Sequence, residues 1–239
     1  MKTFALRALL SAGLMAGCFS LPAHANYESG MAALNAGDYG VAMTEFRRSA
    51  AQGDPLSQRA LGIMYFKGQG VNVDPVEAAQ WFSVAAGQGD APAQAYLGAL
   101  YATGTGVQKD QAKAAEWFRK SAEQGYAEGE VRLGVMYFQG WGVAKDPQKA
   151  VEWFKRAAER GNAHAQYRLG FAYKHGQGIA KDKVEALKWY TIAASEGYPR
   201  ADDRAQALTK EMTKAEVAES QKRAADWQAA TIKRLEGKS

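Results

Sequence analysis

Apolar, aromatic and small residues recur along this chain with a constant step of 36 residues. A leucine followed by glycine returns in phase with a tyrosine, two closely spaced glycines, an aspartate and a tryptophan. The recurring positions are Leu61, Leu97, Leu133 and Leu169; Tyr65, Tyr101, Tyr137 and Tyr173; Gly68 and Gly70 through Gly176 and Gly178; Asp74, Asp110, Asp146 and Asp182; and Trp81, Trp117, Trp153 and Trp189. A fixed period between about 20 and 50 residues is typical of an array of short structural repeats. We therefore expect function on an extended surface and not in a single cleft.

The pattern inside each unit predicts two helices joined by a glycine-rich turn. In the second full unit Leu97 and Tyr101 share one helical face, and Gly98 beside them allows another backbone to approach closely. The first helix ends at Gly104, because glycine readily takes the left-handed conformation that closes a helix. The second helix begins after Asp110, a preferred N-cap residue. Each unit is therefore predicted to be an antiparallel pair of helices.

The second helix of each unit carries an apolar stripe. In the second full unit this stripe consists of Ala114, Trp117, Phe118 and Ala122, and we expect it to face the Leu-Gly side of the first helix. One isolated unit would bury about five large side chains at about 2 kcal/mol each, against an ordering cost of about 1.5 kcal/mol for each of its residues. Neighbouring units must therefore share their apolar surfaces, which gives an all-α solenoid.

The ends of the array differ from its middle. Residues 26–53 keep the phase of the repeat but are shorter, and they have Glu45 where the other units have tryptophan. Beyond Gly197 the Leu-Gly pair is replaced by Ala205-Gln206, and Thr213 with Glu216 has the spacing of a capping box that opens a last helix. The predicted division is a shortened repeat at 26–53, four full repeats at 54–89, 90–125, 126–161 and 162–197, and C-terminal capping helices at 198–239.

The first 25 residues have the composition of an export signal. Lys2 and Arg7 supply the positive start, residues 8–19 an apolar core too short to span a bilayer, and residues 23–25 a small-x-small cleavage site. We expect cleavage after Ala25 and a periplasmic or secreted mature chain that begins at Asn26. No other stretch has the roughly 20 apolar residues of a transmembrane helix, so no transmembrane segment is expected in the mature chain.

The single cysteine, Cys18, leaves an alternative open. Residues 15–18 resemble a lipoprotein processing box, with Met15 where leucine is usual. Export without a lipid anchor is the favoured interpretation, and a lipoprotein anchored through Cys18 is the alternative. In the favoured case the mature chain has no thiol and no disulfide, so packing alone must stabilise it.

Charge and motif content argue against several function classes. Removal of Lys2 and Arg7 with the signal leaves 28 basic and 25 acidic residues, a net charge of +3, which is too small to indicate a nucleic-acid partner. His164 and His175 lack metal-ligand spacing, and the Gly-x-Gly turns follow predicted helices where a dinucleotide fingerprint would follow a strand. We expect no catalytic, cofactor-binding or metal-binding residues, and no enzymatic activity.

The repeated positions together resemble the Sel-one-like repeat (SLR) family, relatives of tetratricopeptide repeats. In the second full unit the resemblance is carried by Ala93-Gln94, Leu97-Gly98, Tyr101, Gly104, Gly106-Val107, Asp110, Ala114, Trp117-Phe118, Ala122 and Gly125. The resemblance covers residues 54–197 and implies a right-handed α/α superhelix used as a protein-binding adaptor, often in bacterial envelope assemblies. Some secreted members are described as penicillin-binding or β-lactam-hydrolysing, but they carry a cysteine pair in each repeat. That function is kept as the alternative.

One face of each first helix is left unused by the repeated residues. By the resemblance, this face lines the concave side of the superhelix, and its side chains are apolar and aromatic with a basic edge. The candidate partner-binding residues are Arg59, Ile63, Phe66, Lys67, Ala99, Val135, Phe138, Gln139, Tyr167, Phe171, Lys174 and His175. The predicted partner is a protein or peptide of the cell envelope. The alternative, that these side chains contact only neighbouring helices, stays open.

Overall fold

Helices form almost all of the chain that the computed structural model describes, residues 23–236, and that range contains no strand. The predicted signal segment with its Cys18 box lies outside the described residues, except for residues 23–25, which open the first helix. The helices are α1 (Ala23–Ala36), α2 (Tyr39–Ala51), α3 (Pro55–Lys67), α4 (Pro75–Gly87), α5 (Ala91–Thr103), α6 (Gln111–Glu123), α7 (Ala127–Gln139), α8 (Pro147–Glu159), α9 (Ala163–His175), α10 (Lys183–Ser195), α11 (Ala201–Thr209) and α12 (Lys214–Glu236).

The helices pack as consecutive pairs that stack on one another. Within each pair the contacts are α1 with α2, α3 with α4, α5 with α6, α7 with α8 and α9 with α10, and each second helix also contacts the first helix of the next pair. The long α12 packs on α10, where the Trp189 and Trp227 rings meet edge to face at 5.5 Å. The predicted all-α solenoid with its period of 36 residues is confirmed.

Helix ends are fixed by the residues that the repeat pattern indicates. Asp110 is the N-cap of α6, and its side chain accepts a hydrogen bond from the backbone nitrogen of Lys113 at 3.0 Å. Gly104 closes α5 in the left-handed conformation with φ of 81°. The capping box before α12 is also formed, because the Glu216 carboxylate accepts from the backbone nitrogen of Thr213 at 2.8 Å. Sequence chemistry therefore sets the length of each helix.

The glycine after each leucine allows close contact between the two helices of a pair. A Cβ atom added at Gly134 would lie 2.6 Å from Cε1 of Phe154, far inside van der Waals contact. The same contact joins Gly62 to Phe82 and Gly98 to Phe118. The aromatic residue that faces the glycine is therefore the one after the tryptophan, and it is fully buried.

Three of the four repeated tryptophans are less deeply buried than the sequence suggested. Trp81, Trp117 and Trp153 are only partly buried, and each packs against an apolar cluster formed by the first helix of its own pair and the second helix of the preceding pair. Trp153, for example, lies on the cluster that contains Leu133 and Met136, and the guanidinium of Arg156 covers its outer face at 4.6 Å. The two adjacent aromatic residues of the second helix thus make different contacts. The phenylalanine lies against the glycine of its own pair, and the tryptophan covers the cluster that joins adjacent pairs.

The second glycine of each turn serves the contact between units. A Cβ atom at Gly106 would collide with the backbone carbonyl of Pro75, at the start of the second helix in the preceding unit. Gly142 and Gly178 make the corresponding approach to Gln111 and Pro147. These glycines also have positive φ, so both the space and the backbone conformation exclude a side chain.

In three of the four full units a buried glutamine ties the first helix to the end of the preceding second helix. Gln94 donates to the Ala86 carbonyl at 3.1 Å and accepts from Gln124 at 2.8 Å. In the third full unit the pair is replaced by Glu130, 1% exposed, and Arg160, whose Nε lies 3.4 Å from the carboxylate without hydrogen-bond geometry. Burial raises the pKa of Glu130, and Arg160 opposes that shift. Ionised Glu130 is therefore poorly stabilised by its surroundings.

We predict that Gly134→Ala lowers the free energy of unfolding by about 1 to 3 kcal/mol, because the added methyl group forces α7 and α8 apart. Gly87→Ala is the matched control: Gly87 is helical with nothing within 4 Å of an added Cβ, so this variant should be neutral or stabilised by up to about 1 kcal/mol. Urea unfolding followed by circular dichroism measures both. Equal stability of the two variants would show that the glycine contact is not tight.

We predict that the double variant Glu130→Gln, Arg160→Gln is more stable than the wild type at pH 7, by about 1 kcal/mol or more. Folding raises the pKa of the Glu130 carboxyl group. The wild-type protein therefore loses stability as pH rises from the pKa of this group in the unfolded chain to its pKa in the folded chain. The advantage of the double variant should therefore shrink towards pH 4. Arg160→Gln alone should be the least stable form at pH 7, because it leaves the buried carboxylate unpaired. A pH-independent difference in thermal unfolding would contradict this account.

Candidate binding surface

The predicted partner-binding residues lie on the first helices α3, α5, α7 and α9 of four successive pairs. They differ in exposure. Phe66, Lys67, Gln139 and His175 are exposed. Partly buried are Arg59, Ile63, Ala99, Val135, Phe138, Tyr167, Phe171 and Lys174. The surface therefore combines side chains that are free to meet a partner with side chains that are already packed.

Several apolar members of this set hold neighbouring units together. Ile63 packs on the apolar cluster that joins α4 of its own pair to α5 of the next, and Val135 and Phe138 pack on the cluster that extends into α9. The rings of Phe138 and Phe171 meet edge to face with centroids 6.3 Å apart. Truncation of either ring would therefore change stability as well as any binding. For these positions the contact with neighbouring helices is observed, whereas a role in partner binding stays a prediction.

Two of the predicted basic residues are engaged in ion pairs within the chain. Arg59 lies 2.6 Å from the carboxylate of Asp90, which also caps α5 through the backbone nitrogen of Ala93. Lys174 lies 3.3 Å from Glu211, in the loop before α12. Since these charges are compensated, they contribute less to the attraction of an acidic partner than the sequence suggested. Sequence reasoning missed these pairs because Asp90 and Glu211 lie in other units.

A cavity of about 270 Å³ opens between the first helices α5 and α7. Its lining residues are Pro92, Ala95, Tyr96, Ala99, Tyr126, Glu128 and Arg132. The Tyr96 ring stacks on Phe82 at 4.8 Å and nevertheless remains 39% exposed. Among the predicted residues only Ala99 belongs to this lining. The cavity thus offers a largely apolar pocket with one acidic and one basic side chain at its edge.

Tyr126 stands where the other full units have a helix-capping residue. Asp54, Asp90 and Asn162 each cap a first helix through their side chains, whereas Tyr126 at the start of α7 makes no such hydrogen bond. Loss of a cap typically costs about 1 kcal/mol. Burial raises the pKa of the Tyr126 hydroxyl, and Tyr96 and Glu128 add to the effect, so the hydroxyl is neutral at pH 7. The break in the repeat at this position was visible in the sequence, but its place in a cavity was not.

A second aromatic group lies at the C-terminal end of the same surface. The His164 and Tyr198 rings stack at 5.3 Å, and Tyr198 meets Tyr167 at 4.9 Å. Arg168 donates from Nε to Nε2 of His164 at 3.1 Å. Burial and then the charge of Arg168 lower the pKa of His164, so the imidazole is neutral at pH 7 and able to accept this bond.

The described part of the chain contains neither a cluster of metal-ligating side chains nor a helix that could span a membrane. Between residues 23 and 236 no three side chains of the types that ligate metals come together. No helix in that range is both long and apolar enough to cross a membrane. The arrangement that the structure does provide is a helical surface with aromatic pockets and charged edges.

Comparison with known proteins shows which repeat this is. The sequence profile of the Sel1 repeat matches four consecutive segments, residues 55–90, 91–126, 127–162 and 163–198. A crystal structure of a Sel1 repeat protein from Oxalobacter formigenes is 34% identical, with a TM-score of 0.71, over 87% of this chain and 84% of that one. A search of curated proteins found no match.

Two further solved structures share the fold. A protective antigen of uropathogenic Escherichia coli strains, which displays an SLR fold, is 33% identical with a TM-score of 0.72, over 89% of this chain. This chain spans 46% of that protein, slightly less than half its length. An immunity protein from Pseudomonas aeruginosa is 20% identical with a TM-score of 0.53, over 88% of this chain and 81% of that one, and shows likeness of fold alone.

Proposed function

Because the chain belongs to the Sel1 repeat family, whose repeats commonly mediate protein–protein interaction, we propose that it is a non-enzymatic scaffold for a protein or peptide partner in the cell envelope. The partner lies along the face formed by the first helices. This face includes the twelve residues predicted from the sequence, one of which, Ala99, lines the cavity between α5 and α7.

The observation that carries the proposal is the pair of tyrosines in that cavity. Tyr96 is exposed although its ring is held by stacking on Phe82, and Tyr126 occupies a position where a capping residue would favour the helix. Tyrosine side chains held in place dominate many interfaces, because they bury a large area with little loss of conformational freedom. The cavity has the size of one or two amino-acid side chains, so it suits a residue projecting from a partner chain.

We predict that a photo-crosslinking amino acid at position 96 captures a discrete envelope protein in growing cells. The same amino acid at Val84 is the control, since Val84 is 48% exposed but lies on the second helix α4. Tyr126→Ala should reduce the crosslink at position 96 by at least tenfold while leaving the melting temperature close to that of the wild type. Equal crosslinking from positions 84 and 96 would mean that the cavity is not the binding site.

The location in the envelope rests on the predicted signal segment. We predict that the exported protein begins at Asn26, and intact-mass measurement of protein purified from the envelope tests this directly. A mass that corresponds to a diacylglycerol-modified Cys18 would show that the lipoprotein alternative is correct. An unprocessed chain that starts at Met1 and remains in the cytoplasm would contradict export altogether.

A scaffold of this kind turns over no substrate. The alternative by family analogy, hydrolysis of β-lactams, is tested by incubating the purified protein with nitrocefin and following the colour change. Sustained hydrolysis that copurifies with the protein would overturn the non-enzymatic part of the proposal. Binding of a partner at position 96 would be unaffected by that result, so the two parts of the proposal are separable.

A further inference from the structure

The second helices of the first and last full units share four residues on one side that the middle units lack. These four positions are spaced i, i+4, i+7 and i+10, so they lie along the same side of a helix. They are occupied by Glu77, Trp81, Val84 and Gly87 in α4; Lys113, Trp117, Lys120 and Glu123 in α6; Lys149, Trp153, Arg156 and Glu159 in α8; and Glu185, Trp189, Ile192 and Ser195 in α10. We refer to these four positions of each second helix as its outer column. The column is acidic, apolar and small in α4 and α10, and mainly charged in α6 and α8.

In the last full unit the outer column is covered by α12 of the same chain. The contacts are an ion pair of Arg223 with Glu185 at 3.0 Å, an edge-to-face contact of Trp227 with Trp189 at 5.5 Å, and a hydrogen bond from Gln228 Nε2 to Ser195 Oγ at 2.9 Å. Ile192 is completely buried, in the same apolar cluster as Ala224 of α12. The structure therefore shows which kind of helix packs on a column of this composition.

In the two middle units the cations of the outer column lie over its tryptophan. The Lys120 ammonium is 4.0 Å from the centre of the Trp117 ring, and the Arg156 guanidinium is 4.6 Å from that of Trp153. A helix that packed here would have to bury these charged groups, which is costly unless each is paired. The outer columns of α6 and α8 are therefore suited to contact with water.

The outer column of α4 has the composition of the covered column but is open to solvent. Val84 is 48% exposed, whereas Ile192 at the same position of α10 is 0% exposed. The Trp81 indole donates to the Glu77 carboxylate at 3.0 Å, which holds the acidic group beside the partly buried ring. Nothing lies within 4 Å of a Cβ atom added at Gly87, so the end of the column has room for a neighbouring backbone.

We propose that the outer column of α4 binds an amphipathic helix of a partner protein, with a basic residue four positions before an aromatic one. The basic residue pairs with Glu77 and the aromatic residue packs on Trp81, as Arg223 and Trp227 of α12 do on α10. Residues four positions apart share one helical face, which is how such helices bind a hydrophobic groove. This site lies on a second helix, so it is separate from the tyrosine cavity between α5 and α7.

The test uses a fluorescent peptide with the sequence of residues 214–234, titrated with the purified protein. We expect Val84→Lys, which introduces the residue type that α6 has at this position, to weaken binding at least tenfold. Val73→Lys is the matched control and should change binding less than twofold, because Val73 is 61% exposed and lies beside Gly68 in the turn before α4. Equal affinity of the wild type and Val84→Lys would mean that the peptide binds elsewhere, for example in place of α12 on α10, and would overturn the proposal.

A charge exchange between protein and peptide tests the orientation of the bound helix. The peptide with Arg223→Glu should bind the wild-type protein at least fivefold more weakly than the unmodified peptide. The protein variant Glu77→Lys should restore the affinity of this altered peptide, because the opposite charges then face each other again. The repeat tolerates lysine at this position, since α6 and α8 have Lys113 and Lys149 there. Failure of Glu77→Lys to restore binding would overturn the proposed pairing.

Further outcomes separate this inference from the proposed function. If crosslinking at position 96 captures a partner but the peptide does not bind, the cavity stands and the inference about α4 is wrong. If the peptide binds with the expected selectivity but position 96 captures nothing, the α4 site stands and the cavity is wrong. Position 84 lies on the outer column, so we expect any protein captured there to differ from the one captured at position 96. A dimer of the purified protein that Val84→Lys dissociates would show that a second copy covers α4, and would overturn the proposal.

Discussion

The contact between a bare helix backbone and an aromatic ring determines the geometry of this molecule. A glycine in the first helix of each full pair lies against the ring of Phe82, Phe118, Phe154 or Tyr190 in the second helix. The distance between the two helices is set by that contact, and so is the position of every residue on their outer surfaces. Any functional surface made from the first helices inherits its spacing from these four contacts.

On this regular framework the departures from the repeat are the informative positions. Tyr126 replaces a helix cap, Glu130 and Arg160 replace a pair of neutral amides, and Arg132 stands where the preceding unit has Tyr96. All of these departures involve the third full unit.

The regular features of the fold were predictable because they depend on local chemistry. Capping by Asp110 and closure by Gly104 follow from the preferences of those residues at helix ends, and a period of 36 residues can be read without any structure. The extent to which Trp153 is buried was not predictable, because Trp153 and the adjacent Phe154 both fit the apolar stripe of the second helix. Pairing of Arg59 with Asp90 was also hidden, since it joins residues 31 positions apart in different units.

The candidate site was only partly predictable for the same reason. Phe66 and Lys67 are exposed, but the cavity between α5 and α7 is made mainly of residues outside the predicted set. A helical period assigns a residue to one side of its own helix. Whether that side opens into a cavity depends on the neighbouring helix, whose distance and rotation are set by packing.

The turn in each unit contacts the preceding unit of the chain. The second glycine of each turn lies against the unit that precedes it in the chain, as Gly106 does against Pro75, and Trp117 packs on the cluster formed by α4 of that unit and α5 of its own. These particular contacts of a unit therefore fall on residues that are synthesised before them. The apolar face of a second helix is completed only by the first helix of the next pair, as α6 is by α7, so the newest unit of a growing chain stays uncovered on that side until the following unit is synthesised.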